Sequence, residues 1–316
     1  MSVKNFALLG AGGYIAPRHL KAIRDTGNQL IAAVDPFDSV GILDRYFHNV
    51  KFFTEIERFD RHLEKLRRDH PERKADYLSI CTPNYLHDAH CRLALRLGAN
   101  AICEKPLVVN PWNLEQLEAL ESESPGKIYT VLQLRVHPAL LKIKKALEEN
   151  KSAFQHQVMI TYITARGPWY NVSWKGSEEK SGGVATNIGI HLFDMVQWLF
   201  GEFGDVKVHL KEKDRMSGFV ELERARVNWF LSVNEDDLPV PIKPGDPLTY
   251  RSITIDGEEV EFSSGFTDLH TRVYEKTLQG EGFGIEDAKA SIDLTYQIRQ
   301  AEVSPLDDLA HPLLRE

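Results

Sequence analysis

Glu104, Lys105 and Pro106 stand together at the end of the short apolar run Ala101-Ile-Cys103. The run predicts a buried strand that stops abruptly. Proline has no N–H to give a sheet, and it biases the residue before it toward extended backbone. An acid and a base are thereby held at a strand's carboxyl end, which in an open α/β sheet is the edge where ligands bind. A lysine held there either stays charged and orients a substrate oxygen, or has its pKa lowered and moves protons. An arbitrary Glu-Lys-Pro is most often a solvated pair, so its meaning depends on the chain before it. A second group lies in Gly182–Trp198, which predicts a glycine turn entering a helix. Asn187, His191 and Asp194 fall at i, i+4 and i+7, on one face, while Ile188, Leu192, Val196 and Leu199 pack a core. A lone histidine in such a helix is usually a satisfied core group. A polar triad points to a site.

The elements that must position Lys105 begin at the N-terminus. Phe6–Leu9 predicts a buried strand. Gly10-Ala-Gly-Gly-Tyr-Ile-Ala-Pro-Arg-His19 follows, then helix-like residues to about Arg24. Strand, glycine turn, helix is the setting in which glycines let the backbone approach a pyrophosphate at a helix N-terminus. The motif is imperfect: Gly10 and Gly12 fit G-x-G, the third small residue Ala16 is one place late, and Gly13 is extra. The second strand, Leu30–Val34, ends in Asp35, at the spacing the dinucleotide fingerprint requires. A carboxylate there accepts ribose hydroxyls and repels a 2′-phosphate. Pro36 and Phe37 follow rather than an arginine, so NAD is favoured over NADP.

Further along come a helix over about Ile56–Arg68, a strand Tyr77–Cys81 ending in Thr82-Pro-Asn-Tyr-Leu-His87, a helix Asp88–Leu97 closed by Gly98, a helix Trp112–Glu121 and a strand Ile128–Leu134. Strands alternating with helices predict a parallel, doubly wound sheet, with the first domain ending near residue 134. In the second half, His156–Ala165 alternates like a strand. The loop Arg166–Gly176 mixes two cations, Arg166 and Lys175, with Trp169, Tyr170 and Trp174, a combination that suits a sugar ring and an anionic group. Phe219–Val233 and Tyr250–Phe262 predict long alternating strands, the latter turning at Asp256-Gly257. Asn234–Leu248 is a proline-rich loop, and the tail from about Ser304 reads as loosely held. A sheet covered by helices on one face leaves the other to pair with a second subunit.

The 316 residues suffice for two domains. The net charge of −8 argues against a general nucleic-acid or anionic-membrane surface. Cys81, Cys91 and Cys103 lie in or beside apolar runs without CxxC spacing, which predicts free thiols in a reducing compartment and no metal site. No signal peptide or membrane-length apolar stretch is evident, and a cytoplasmic location is expected.

The glycine turn with His19, Asp35, Thr82-Pro-Asn-Tyr-Leu-His87 and Glu104-Lys-Pro106 resembles the Gfo/Idh/MocA oxidoreductases. The resemblance implies an N-terminal Rossmann domain over residues 1–134 and a C-terminal α/β domain over 135–316. The second domain has an open-faced, mostly antiparallel sheet and serves substrate binding and oligomerisation. It implies NAD contacts from Gly10, Gly12, Gly13, Tyr14, Ile15, Asp35, Thr82, Pro83, Asn84, His87, Glu104 and Lys105. It also implies substrate contacts from Lys105, Arg166, Trp169, Tyr170, Trp174, Lys175, Asn187 and His191. Lys105, His191 and Glu104 are the implied catalytic set. Many members carry an aspartate where this chain has Asn187, which leaves His191 as the main candidate base.

Closer still, Gly13–His19, Cys103–Leu107, Arg166–Tyr170, Ser173–Gly176, Val184–Gly189, Tyr250–Thr254 and Gly265–Thr271 look like the WlbA/WbpB branch, and the likeness covers nearly the whole chain. That implies NAD-dependent oxidation of the C3 hydroxyl of UDP-N-acetylglucosaminuronate to a 3-keto sugar, in bacterial O-antigen and lipopolysaccharide sugar synthesis. It further implies a homo-oligomer, dimer or tetramer, and in some members 2-oxoglutarate as the oxidant that regenerates NAD+. Two rivals remain: a free-sugar or inositol dehydrogenase of the same superfamily, and a catalytically silent NAD-binding regulator. Lys105 and His191 together weigh against the regulator.

Overall fold

A computed structural model describes residues 2–150, 155–239, 248–260 and 268–315. The chain divides into two compact units, one of Met1–Val136 with Phe266–Lys289, the other of His137–Gly265 with Ala290–Glu316.

In the first unit, β1 (Asn5–Leu9), α1 (Ala16–Asp25), β2 (Gln29–Val34), β3 (Lys51–Phe53), α2 (Ile56–Asp69), β4 (Tyr77–Ile80), α3 (His87–Arg96), β5 (Asn100–Cys103), α4 (Pro111–Ser122) and β6 (Ile128–Thr130) follow one another. The strands pair in parallel in the order β3-β2-β1-β4-β5-β6. The order reverses direction at β1, so the glycine turn after β1 lies at the switch point of a doubly wound sheet. The central strands are continuous apolar runs because helices cover both faces of such a sheet. Phe6, Leu8 and Ile102 are wholly buried, packed with Leu20 and Ile23 of α1. The expected strand Ile128–Leu134 stops at Thr130, and a 3₁₀ turn takes Gln133–Val136.

The second unit holds α5 (Pro138–Glu149), β7 (His156–Thr164), α6 (Trp169–Val172), α7 (Glu178–Ser181), α8 (Ile190–Phe200), β8 (Phe203–Lys211), β9 (Arg215–Leu222), β10 (Ala225–Ser232), β11 (Thr249–Ile255) and β12 (Glu258–Glu259). Its sheet runs β12-β11-β7-β10-β9-β8, antiparallel except for the β7–β10 pair. Phe219–Val233 is not one strand: it breaks at Glu223-Arg224 into the hairpin β9–β10. Asp256 and Gly257 both have positive φ, as expected for their hairpin turn. Phe262 and residues 240–247 of the proline-rich loop lie outside the described residues. Helix α8 is apolar nearly all round and packs Phe193 edge-on to Trp229 of β10 at 5.3 Å.

The chain then forms α9 (Leu269–Leu278), in the first unit, and α10 (Ile285–Gln300), which begins in the first and ends in the second. Leu269, Val273 and Tyr274 of α9 enter the first unit's core. The tail is not loosely held. Ser304 donates its N–H to Val208 O of β8 at 2.7 Å, Asn228 of β10 donates to Leu309 O, and His311, 2% exposed, meets Thr161 of β7 at 3.1 Å. It therefore binds across part of the sheet that a helix-only reading leaves open.

Candidate active site

The glycine turn is built by close approach. Gly10 has φ +87°, and a Cβ there would stand 2.8 Å from the Cys81 backbone. Only glycine fits both conditions. Gly10 and Ala11 donate to Val34 O, which ties the turn to the end of β2. Asp35 then closes on it: its Oδ2 accepts the Gly12 N–H at 2.9 Å and its Oδ1 the Phe37 N–H at 2.9 Å. A Cβ on Gly12 would press on that carboxylate at 3.3 Å. Each carboxylate oxygen keeps a lone pair for a ribose hydroxyl. Ile15 at the α1 N-cap has no side-chain acceptor for the first-turn amides, which suits an anion. Tyr14 is 86% exposed. The cradle fits a dinucleotide.

The ends of β4 and β5 are clasped by His87, which is wholly buried. Its Nε2 meets Thr82 O at 2.8 Å and its Nδ1 meets Pro106 O at 2.7 Å. Burial lowers its pKa, while the two carbonyls oppose that shift. Both partners are acceptors, and a neutral ring donates to only one at a time. Thr82 Oγ1 pairs with His90 Nδ1 at 2.9 Å, and Asn84, after Pro83, is buried. The Lys105–Pro106 bond is cis.

Glu104, 7% exposed, is held more elaborately than sequence reasoning foresaw. His19 Nε2 of α1 and His270 Nε2 of α9 both meet its Oε1, at 2.9 and 2.8 Å, and the Lys105 N–H approaches its Oε2 at 3.3 Å. Burial alone raises a carboxyl's pKa. The two imidazole hydrogen bonds outweigh it, and Glu104 is held well below the usual range. His270 was visible in the sequence only as part of a likeness; nothing local linked it to Glu104.

In the second unit, α7 ends at Gly182, and Ala185–Gly189 forms a π-helical turn before α8. A π turn inside a helix often marks a functional site. Asn187 sits in that turn and donates to Tyr170 Oη at 2.9 Å. His191, in the first turn of α8, is half-buried, and Asp194 is 3% exposed. The Arg166–Gly176 stretch is not a plain loop but α6 followed by a 3₁₀ turn. Lys175 Nζ lies 5.1 Å from the Trp169 ring and 5.6 Å from the Trp174 ring. Burial, with the nearby Arg166, lowers its pKa. Trp169 is half-exposed, Arg166 is exposed, and Tyr170 is buried edge-on to Trp169.

Residues 4–132 match the oxidoreductase family's NAD-binding Rossmann fold, and residues 144–242 match its C-terminal alpha/beta domain. The chain belongs to the Gfo/Idh/MocA oxidoreductase family, and its cofactor is NAD. It is 50% identical to the WlbA (WbpB) dehydrogenase from Thermus thermophilus in complex with NAD and alpha-ketoglutarate, over 98% of this chain and 99% of that one, with a TM-score of 0.93. The Thermus thermophilus dehydrogenase in complex with NAD and UDP-GlcNAcA matches with 50% identity, the same coverage and a TM-score of 0.92. The inositol 2-dehydrogenase of Rhizobium meliloti (strain 1021) is 26% identical over 62% of this chain, which spans only 55% of that enzyme's length. Among the described residues, no helix is long and apolar enough to cross a membrane.

Proposed function

We propose that this chain oxidises the C3 hydroxyl of UDP-N-acetylglucosaminuronate to the 3-keto sugar, with NAD as hydride acceptor. The carrying observation is the 50% identity, over nearly the full length of both chains, to a dehydrogenase seen with NAD and UDP-GlcNAcA. Residues 1–134 form the NAD domain, with Asp35 on the ribose and the turn from Gly10 to Ile15 on the pyrophosphate. Residues from Thr82 to Asn84, with the loops that His87 clasps, line the cofactor beside Glu104 and Lys105. Residues 135–316, apart from the Phe266–Lys289 segment that belongs to the first unit, take the substrate and form the oligomer contacts. When bound, NAD supplies a place for the hydride. The remaining chemistry belongs to side chains: the Lys105 ammonium hydrogen-bonds the C3 oxygen, and His191 accepts the hydroxyl proton as the C–H bond breaks and C=O forms. General acid–base transfer of this kind is worth about 10²–10⁴-fold. Glu104 orients Lys105. Arg166 and Lys175 meet the uronate or diphosphate. Trp169, Tyr170 and Trp174 face the sugar and uridine, and Asn187 acts with Tyr170.

The oxidant that regenerates NAD+ is 2-oxoglutarate, a role supported by the relative's complex with alpha-ketoglutarate. The enzyme works in the cytoplasm as a homo-oligomer in O-antigen sugar synthesis. The likeness to an inositol 2-dehydrogenase favours a second reading, oxidation of a free polyol. Turnover of UDP-N-acetylglucosaminuronate against the same sugar lacking UDP separates them. Loss of turnover without the nucleotide supports the first reading, and equal turnover supports the second.

A further inference from the structure

Behind Glu104 stands a buried chain of polar groups that the proposed chemistry does not use. Ser79 Oγ of β4 lies 2.7 Å from Tyr274 Oη, and Tyr274 Oη lies 2.7 Å from His19 Nδ1. His19 Nε2 and His270 Nε2 both reach Glu104 Oε1. Ser79, His19 and Tyr274 are wholly buried, and His270 is 4% exposed. One pattern of protons satisfies this chain. An ionised carboxylate only accepts, so both imidazoles present Nε2–H to it. In a neutral His19 ring Nδ1 then accepts a hydrogen bond from the Tyr274 hydroxyl, and the Tyr274 oxygen accepts one from Ser79. Burial lowers the His19 pKa and raises that of Tyr274 well above its usual value, so neither ring carries charge.

The carboxylate is thus a buried anion fixed by two imidazole N–H donors on one oxygen, leaving the other for the Lys105 N–H. His270 and Tyr274 are four residues apart on α9, on one face, and α9 reaches this strand end from the far end of the sequence. Two donors on one oxygen allow Glu104 a single orientation, and Lys105 is its chain neighbour.

We infer that His19 and His270 are positioning residues of the reaction, which fix the Glu104 carboxylate and through it the strand end that presents Lys105. This rests on the reading of Lys105 as the group that holds the substrate oxygen. Misplacement by about 1 Å can cost on the order of 10²-fold in rate.

Four variants test it: His270→Leu, His270→Gln, Glu104→Gln and Lys105→Met. For each, kcat, KM for UDP-N-acetylglucosaminuronate, NAD affinity and thermal unfolding are measured, and zinc is assayed in the purified protein. His270→Leu should lower kcat by about 10²-fold with KM and NAD affinity changed less than about threefold. His270→Gln, whose amide N–H reaches the same carboxylate oxygen, should recover most of that loss. Glu104→Gln keeps the shape and should lose kcat likewise, which preserves the test if His270→Leu does not fold. Equal kcat in the Leu and Gln variants of His270 would overturn the inference, as would near-normal kcat in Glu104→Gln. One equivalent of zinc that is lost in His270→Gln would also overturn it, since the two histidines and Glu104 form a zinc-type donor set. If Lys105→Met turns over normally, the underlying reading fails. If Lys105→Met is dead while His270→Leu is not, only the positioning role fails.

Discussion

The backbone N–H of Gly12 donates to Oδ2 of Asp35 at 2.9 Å, so the side chain expected to read the ribose also shapes the pyrophosphate turn. Replacing Asp35 with Ala should therefore weaken NAD binding twice over. Loss of charge-assisted contacts of about 1.5–3 kcal/mol corresponds to roughly 10–150-fold in Kd. NADP binding should improve relative to NAD, because the repelling carboxylate is gone. Calorimetric titration of both nucleotides against wild type and variant decides it. Wild-type protein that binds both equally contradicts the assignment.

Lys175 lies against the Trp169 and Trp174 rings, and Arg166 is near enough to help lower its pKa. Each alanine variant should raise KM for the nucleotide sugar, by about 1.5–3 kcal/mol where the lost contact is charge-assisted, with kcat within a few fold. Initial-rate kinetics on both variants provides the check. Unchanged KM in both would make this stretch a packed surface turn and nothing more.

Lys105 and His191 should act on one oxygen. His191→Ala and Lys105→Met should each lower kcat by about 10²–10⁴-fold and leave NAD binding intact. The double variant should be much less impaired than the product of the singles. Strictly multiplicative losses would mean independent roles. Near-normal turnover in His191→Ala would make it a core histidine.

Acid should loosen the second unit through the tail. His311 Nδ1 accepts the Leu313 N–H, so Nε2–H points to Thr161, and burial lowers the ring's pKa to about 4. The folded chain thus keeps the ring neutral at pH values where the unfolded chain protonates it. Its contribution is complete above about pH 6.5 and is lost as pH falls toward about 4, by at most about 1.4 kcal/mol per pH unit. Urea unfolding at pH 7, 6 and 5 should show falling stability, with a shallower slope in His311→Gln. Identical slopes in the two proteins would mean that His311 titrates normally.

The first unit was legible because a parallel sheet writes its strands as continuous apolar runs, each closed by a turn residue such as Gly10, Asp35 or Pro106. The second was less so. Glu223-Arg224 carries no glycine or asparagine signal, so two strands read as one. The tail after Ser304 looked loose because its bonds are to the Val208 carbonyl and to the Asn228 and Thr161 side chains, partners that composition does not reveal. His270 could be seen, but not its target: helical spacing tells which residues of α9 turn inward, not that a carboxylate 166 positions earlier awaits them. The π turn at Ala185–Gly189 was likewise invisible to a pattern that assumes a regular helix.

The most direct test is to add UDP-N-acetylglucosaminuronate to the purified, NAD-loaded protein and follow the nucleotide and the sugar together by mass spectrometry. One NAD should become NADH for each sugar that loses two hydrogens, with the new carbonyl at C3, and later addition of 2-oxoglutarate should restore NAD+. Nucleotide that stays oxidised with the UDP-sugar but is reduced by free inositol would contradict the proposed function.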